Sequence, residues 1–286
     1  MPSDVNERVA LVGLGAIGIS FAALYLRHTK STVRVFDTRP DLEHHLSTVL
    51  PGYIDSDDAS LGISRLRESG RLVICTTLEE ACDGATIVQE QVVHPFNPPH
   101  IMPLIEIVPS PTTNPDEVRF AKKLFAELGS GHRPVVIKKE VPGFVGNRLA
   151  FSLLREACSL VDQGVVSTED VDTIMEASLG PRWAVQGIFK SYNMGGGVAG
   201  IQAFLNNLSG TVQGVWDSSE PVNFQKKATN ESEGIEKSDG PTWDAKVVQQ
   251  TVDAYGLPNP EQFRERDVAL RKILDVQRQR ETHTKK

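Results

Sequence analysis

The apolar run RVALV, residues 8 to 12, stops at GLGAIG, and few short stretches restrict a fold more. Helical periodicity follows in SFAALYLRHT, and TVRVFDT then returns to β-branched alternation. Strand, glycine turn, helix and strand thus fit within about 30 residues, the length of one βαβ unit. Such a unit predicts a parallel sheet covered by helices on both faces. Residues Gly13, Gly15 and Gly18, with Ala16 and Ile17 between the last two, match G-x-G-x-x-G with a strand before it and a helix after it. Gly13 permits the tight turn, Gly15 removes a side chain where a pyrophosphate approaches the backbone, and Gly18 lets the helix lie close to the strand. Ala16 and Ile17 open that helix, whose first amides face the phosphates. Asp37 closes the second strand about 20 residues later, where a carboxylate accepts from the adenosine ribose and repels a 2′-phosphate. NAD is the expected cofactor rather than NADP, although Arg39, two residues on, weighs against a strict preference.

The same alternation continues. DLEHHLSTVL and SLGISRLRES read as helices, RLVICTT as a third strand, LEEACDG as a short helix and ATIVQEQ as a fourth strand. PLIEIVPS and PVVIKK read as strands joined by a helix across DEVRFAKKLFAELG. From Val141 onward strand signal nearly vanishes. GNRLAFSLLREACSLVDQG is a helix with Leu149, Leu153, Leu154, Cys158 and Val161 on one broad face, and Ser167 with Asp170 forms a capping-box pattern. Two domains are therefore expected, 1–141 as a Rossmann-type α/β dinucleotide-binding domain and 142–286 as an all-helical domain, to which the family resemblance given below assigns substrate binding and dimerisation. The polar, turn-rich segment 219–242 is expected to be a mobile loop. EQFRERDVALRKILDVQRQR is an amphipathic basic helix whose ordinary role is a solvated face packed on its domain.

A formal charge of −7 argues against nucleic acid as a partner. Three cysteines cannot pair completely and have no metal-ligand spacing, which points to a reducing compartment. No basic-then-apolar leader opens the chain and no apolar run is long enough for a bilayer, so the expected location is the cytoplasm, away from membranes.

His94 stands in HPFNPPHIMPLIEIVP, with Glu106 inside an otherwise apolar strand. An inward-facing carboxylate there is expensive to bury without a partner. An imidazole is a suitable one: Glu106 would orient the ring and stabilise the imidazolium when His94 takes a proton. Taken alone, His94 also reads as an ordinary strand-end histidine. A metal set of His94, His100 and Glu106 is disfavoured, since prolines interrupt any helical spacing and no cysteine joins them; no metal is expected.

Taken together, GLGAIG, HPFNPPHIMPLIEIVP, VPGFVGNRL and REACSLVDQGVVSTEDVD resemble the 3-hydroxyacyl-CoA dehydrogenase family. With LGPRWAVQGIFKSYNMGGG, the resemblance is nearest to its lambda-crystallin / L-gulonate 3-dehydrogenase branch and covers residues 7 to about 218. It implies a Rossmann domain followed by a helical domain that forms a homodimer, and NAD-linked oxidation of the 3-hydroxy group of a small hydroxy acid or an acyl-CoA substrate. By motif it implies His94 as general base and Glu106 as its partner. Asn147 would hydrogen-bond the substrate or the cofactor carboxamide, or else simply cap its helix.

The resemblance also implies something missing. Family members follow the QEQ strand with a helix, a strand ending in a serine/threonine-rich turn, and another helix before HPFNPP. Here Gln91 meets Val92 directly, an absence on the order of 30–40 residues, about one βαβ unit. The family serine that hydrogen-bonds the substrate hydroxyl, and a Glu and a Lys that touch NAD, would go with it. Parallel neighbours need a crossover of about a dozen residues, so 85–93 is expected to be one continuous strand or a strand bent at Glu90–Gln91. A shortened splice form, or a gene model lacking an exon, is the expected origin, and a catalytically impaired NAD-binding or crystallin-like structural dimer is the alternative function.

Overall fold

A computed structural model of the chain describes residues 6–54, 58–89, 93–224 and 242–284. It divides into two compact units, Met1–Gly146 and Asn147–Lys286.

The first unit begins β1 (Arg8–Val12), α1 (Ala16–His28), β2 (Thr32–Phe36), α2 (Leu42–Ile54), a 3-10 turn (Ala59–Leu61), α3 (Ile63–Glu68), β3 (Leu72–Ile74), α4 (Leu78–Cys82) and β4 (Ile87–Gln89). Its four strands form a wholly parallel sheet in the order β3-β2-β1-β4. Every residue of α1 from Ile19 to Leu26 is buried, so this helix is covered all round. Next come β5 (Val93–Pro95), β6 (Leu104–Ile107), α5 (Pro115–Glu127) and β7 (Arg133–Val136), which form a second sheet in the order β5-β6-β7. Strands β6 and β7 are parallel across the α5 crossover, while β5 runs antiparallel to β6.

The continuous strand expected over 85–93 is not seen among the described residues, and the alternative, a bend at Glu90–Gln91, falls outside them. Its first half pairs with β1 and its second half with β6, in different sheets; residues 90–92 lie outside the described residues. Each half takes the ladder open to it, and one straight strand cannot extend both a parallel and an antiparallel edge. Side chains join what the ladders leave apart. Val9, Leu11, Val33 and Val35 share one core with Ile105 and Ile107. Phe21 of α1 meets Phe125 of α5 at 6.2 Å between ring centroids.

The second unit is helical: α6 (Gly146–Asp162), α7 (Thr168–Ala177), α8 (Leu179–Val185), α9 (Ile188–Gly195), α10 (Gly200–Ser218), α11 (Trp243–Tyr255) and α12 (Pro260–Thr284). Both halves of the Ser167–Asp170 capping box are present at the start of α7. Of the expected mobile loop, residues 225–241 lie outside the described residues. Cys158 and Val161 of the apolar α6 face are buried, but Leu149, Leu153 and Leu154 are exposed, as are Phe151, Phe189, Trp216 and Leu257. Among the described residues no helix is long and apolar enough to cross a membrane.

Candidate active site

The glycine turn between β1 and α1 has the conformation its sequence requires. Gly13 sits at φ 85, left-handed territory, and its N–H donates to the Phe36 carbonyl at 2.9 Å, tying the turn to the end of β2. A Cβ on Gly18 would run into the Gly13 carbonyl oxygen, so only glycine lets α1 start this close to the strand. A Cβ on Gly15 would meet nothing within 4 Å. Gly15 and Ala16 are exposed and Ile17 is half-buried, so the mouth of the turn is open to a ligand's phosphates at the N-terminus of α1.

Asp37 follows β2 and reaches back to this turn. Its Oδ2 accepts the Leu14 N–H at 2.5 Å and its Oδ1 accepts the Arg39 N–H at 2.9 Å. Burial pushes the carboxyl up, but those two amides, with the Arg39 guanidinium and His45, outweigh it and hold Asp37 below the usual carboxylate range. The group is thus an anion, with lone pairs left over for sugar hydroxyls. The His45 ring nitrogen Nε2 lies 3.1 Å from the Leu14 carbonyl on the same turn. Glycine turn, helix start and carboxylate together fit an NAD adenosine diphosphate.

A second constellation forms where β5 faces β6. His94 and Glu106 are directly opposed in the antiparallel register, which places both side chains on one face. Nδ1 of His94 lies 3.3 Å from Oε2 of Glu106, a close approach rather than an aligned hydrogen bond. The imidazole is 25% exposed and the carboxylate 2%. The other carboxylate oxygen is anchored independently: Oε1 accepts the Val145 N–H at 3.0 Å and the Gly146 N–H at 3.1 Å, at the start of α6. Gly143 at φ 77 and Phe144 at φ 50 turn the chain so that these two amides point at Glu106. The Phe144 ring also lies against His94, 4.7 Å between centroids. A non-glycine residue with positive φ is uncommon, and here it is tied to the placement of both members of the pair.

The VPGFV turn is what sequence reasoning missed. Its signal was a proline-glycine pair followed by an aromatic residue just before a helix, yet nothing local says that its amides serve a carboxylate 40 residues upstream. Asn147 is the second residue of α6, next in the chain to Gly146, and belongs to the second unit. His100 is occupied elsewhere: its Nδ1 is 3.2 Å from Ser20 Oγ and its ring lies tilted against Tyr53, 4.5 Å between centroids.

A parallel-sheet fold with a glycine turn, followed by a helical unit, defines a class of dinucleotide-binding α/β proteins. Residues 91–141 match the family model described as 3-hydroxyacyl-CoA dehydrogenase, NAD binding domain, and residues 143–238 match 3-hydroxyacyl-CoA dehydrogenase, C-terminal domain. The chain belongs to the 3-hydroxyacyl-CoA dehydrogenase family.

It is 28% identical over 257 residues to L-carnitine dehydrogenase/betainyl-CoA thioesterase of Rhizobium meliloti, covering 73% of this chain and 51% of that protein. L-carnitine dehydrogenase of Mesorhizobium japonicum is 28% identical over 262 residues, covering 74% of this chain and 71% of that one. The 3-hydroxyacyl-CoA dehydrogenase of Gibberella moniliformis is 36% identical over 165 residues, covering 56% and 51%. The chain thus spans about half the length of several curated relatives it matches. In the Rhizobium alignment, 73% of this chain is about 209 of its 286 residues, set against a span of 257. The fold is shared with an NAD+-dependent dismutase, 5-formyl-3-hydroxy-2-methylpyridine 4-carboxylic acid 5-dehydrogenase, at TM-score 0.60 and 24% identity over 97% of this chain and 98% of that one.

Proposed function

We propose that this chain is an NAD-dependent dehydrogenase that oxidises the 3-hydroxy group of a small hydroxy acid or of a 3-hydroxyacyl-CoA. The observation that carries the reading is the imidazole–carboxylate pair, whose acidic member is fixed from two sides. With Nδ1 turned to Glu106, His94 presents Nε2 to a substrate hydroxyl and takes its proton as general base. Glu106, held by its two amides, stabilises the imidazolium as it forms. Gly13, Gly15, Ala16, Ile17 and Gly18 hold the cofactor's pyrophosphate, and Asp37 its adenosine ribose. When bound, NAD accepts the hydride from the carbinol carbon. Asn147 hydrogen-bonds the substrate or the cofactor carboxamide; a purely helix-capping role is the competing account.

Relatives named for L-carnitine favour a small free acid, whereas the Gibberella relative's name favours a thioester. The test is NADH formation with L-carnitine, L-gulonate, 3-hydroxybutyrate and 3-hydroxybutyryl-CoA, with L-gulonate probing the lambda-crystallin branch. His94→Gln abolishes turnover if the assignment is right, and an unchanged rate refutes it. The exposed apolar residues of α6 and α10 support a homodimer through the helical unit, which light scattering on the purified chain checks. The acidic balance and three free cysteines support a cytoplasmic location.

The separated sheets favour a second reading. The family match begins at residue 91, beside the join, and the relative's surplus in the alignment is on the order of one βαβ unit. We infer that one strand and its covering helices are absent between Gln91 and Val92, with the serine-bearing turn among them. Loss of one oriented hydrogen bond in an active site costs roughly 100- to 1,000-fold in rate. The chain would then be an impaired, NAD-binding structural dimer. A folded protein that binds NADH and turns over none of the four substrates supports this reading. Reads of the transcript across codons 88 to 95, uninterrupted and with no longer isoform, would refute a gene-model error.

A further inference from the structure

We propose that Asp41 enforces the choice of NAD over NADP by occupying the guanidinium of Arg39, a contact that makes Asp41 a specificity-determining residue. The inference rests on the dinucleotide reading above. Arg39 is anchored beside the ribose carboxylate, since its own N–H donates to Asp37 Oδ1 at 2.9 Å. Its side chain, however, is turned to Asp41: Nε donates to Oδ1 at 2.7 Å and a terminal nitrogen to Oδ2 at 3.2 Å. One edge of the guanidinium, Nε and a terminal nitrogen, thus meets both oxygens of one carboxylate. The same planar fork is what binds a phosphate in two-pronged fashion when nothing else holds it. Only Pro40 separates the two residues, and its fixed φ, with the restriction it places on Arg39, keeps them within reach of each other.

The charge count at this corner then disfavours a 2′-phosphate. Asp37 and Asp41 face one guanidinium, and a phosphate would add further negative charge while finding the cation already engaged. NAD carries only hydroxyls there, which Asp37 accepts. Asp41 also occupies the start of α2, where its carbonyl accepts the His45 N–H at 2.8 Å. Serine and asparagine are good residues for that position, so Asp41→Ser and Asp41→Asn remove the charge without removing the helix cap.

The experiment is calorimetric titration of NADH and NADPH into the full chain, as wild type, D41S, D41N, R39A and R39A/D41S, with circular dichroism confirming that each is folded. Wild type should bind NADH more tightly than NADPH. D41S should tighten NADPH by about five-fold, the upper range for releasing an exposed ion pair, and leave NADH within about two-fold. R39A alone should not tighten NADPH, and in the D41S background it should erase the gain. D41N repeats the measurement with a near-isosteric side chain should D41S melt early. No gain in either single variant, or a gain that survives the loss of Arg39, overturns the proposal. Failure of every variant to bind NADH would instead sink the cofactor reading, so the two failures have different signatures.

Discussion

Replacing Glu106 separates the chemical from the structural role of the buried carboxylate. In Glu106→Gln the amide oxygen can keep the Val145 and Gly146 N–H groups now held at 3.0 and 3.1 Å. Hydrogen bonds to an ionised acceptor are worth about 1.5–3 kcal/mol and neutral ones about 0.5–1.5, so two exchanges cost up to about 3 kcal/mol. Relief from burying a charge offsets part of that, leaving an expected loss of about 1–2 kcal/mol. The effect on turnover should be far larger. The new amide N–H₂ faces His94 Nδ1, which makes Nδ1 an acceptor and moves the ring proton to Nε2, the atom proposed above to act as base. A wrong tautomer in a comparable acid–imidazole arrangement costs on the order of 10⁴ in kcat. Glu106→Ala reverses the emphasis: two donors lose their acceptor, at about 1–3 kcal/mol each. At the lower end of that range the two together cost about 2–3 kcal/mol from a domain margin of about 5–15.

Turnover is read from NADH absorbance, and stability from urea unfolding followed by far-ultraviolet circular dichroism. The chain supplies its own control: Trp183, Trp216 and Trp243 all lie in the second unit, so tryptophan fluorescence follows the helical unit alone. E106A should shift the dichroism transition while the fluorescence transition stays in place. The reasoning is refuted if E106Q keeps more than about a tenth of wild-type turnover, or if E106A unfolds at the wild-type urea midpoint. The stability arm holds even if the wild-type chain proves inactive.

Gly15 and Gly18 should respond oppositely to alanine. G18A forces a Cβ onto the Gly13 carbonyl and should cost about 1–3 kcal/mol in a thermal or urea melt, whereas G15A should melt like wild type but lose NADH affinity at least about ten-fold, because its open space is where phosphate approaches. Asp37, held below its ordinary 3.8, contributes stability that is fully present above that value and lost as pH falls through the folded one. The melting temperatures of wild type and D37N should therefore converge on acidification below about pH 4. Tyr25 behaves in the opposite sense: burial first, then Glu7, raise its phenol well above the ordinary 10.0. Its contribution is intact below that pH and lost as pH climbs toward the folded value, so Y25F should lose less stability than wild type between about pH 9 and 11.

The elements that could be read from sequence are those whose causes are local. The glycine turn, α1 and β2 follow from hydrophobic period and from backbone requirements within about 30 residues. The start of α7 follows from Ser167 and Asp170, three positions apart. Even the pairing of His94 with Glu106 had a local clue, an acid inside an apolar strand. What escaped was decided by distant partners. ATIVQEQVV has the pattern of one strand, and nothing in it says that its halves pair with β1 and β6. The Leu149, Leu153 and Leu154 stripe reads as a buried face because periodicity reports amphipathicity and not what covers it; in the folded chain it is exposed.

This division bears on function. On the function proposed above, the cofactor half of the site would lie in β1, α1 and β2, and the acid–base half in β5, β6 and the turn before α6; each is held by hydrogen bonds within its own sheet and adjoining turn. A segment missing between β4 and β5, as the second reading has it, would leave both halves locally intact while removing a strand from between them. The shared core, with Phe21 against Phe125, keeps the sheets together but fixes their spacing only to the tolerance of apolar side chains. Hydride transfer demands more, since a misplacement of about 1 Å can cost 100-fold. NADH binding and the Glu106-dependent stability should therefore persist whether or not the chain turns over. Only the rate with a 3-hydroxy substrate reports whether the two halves still meet in register.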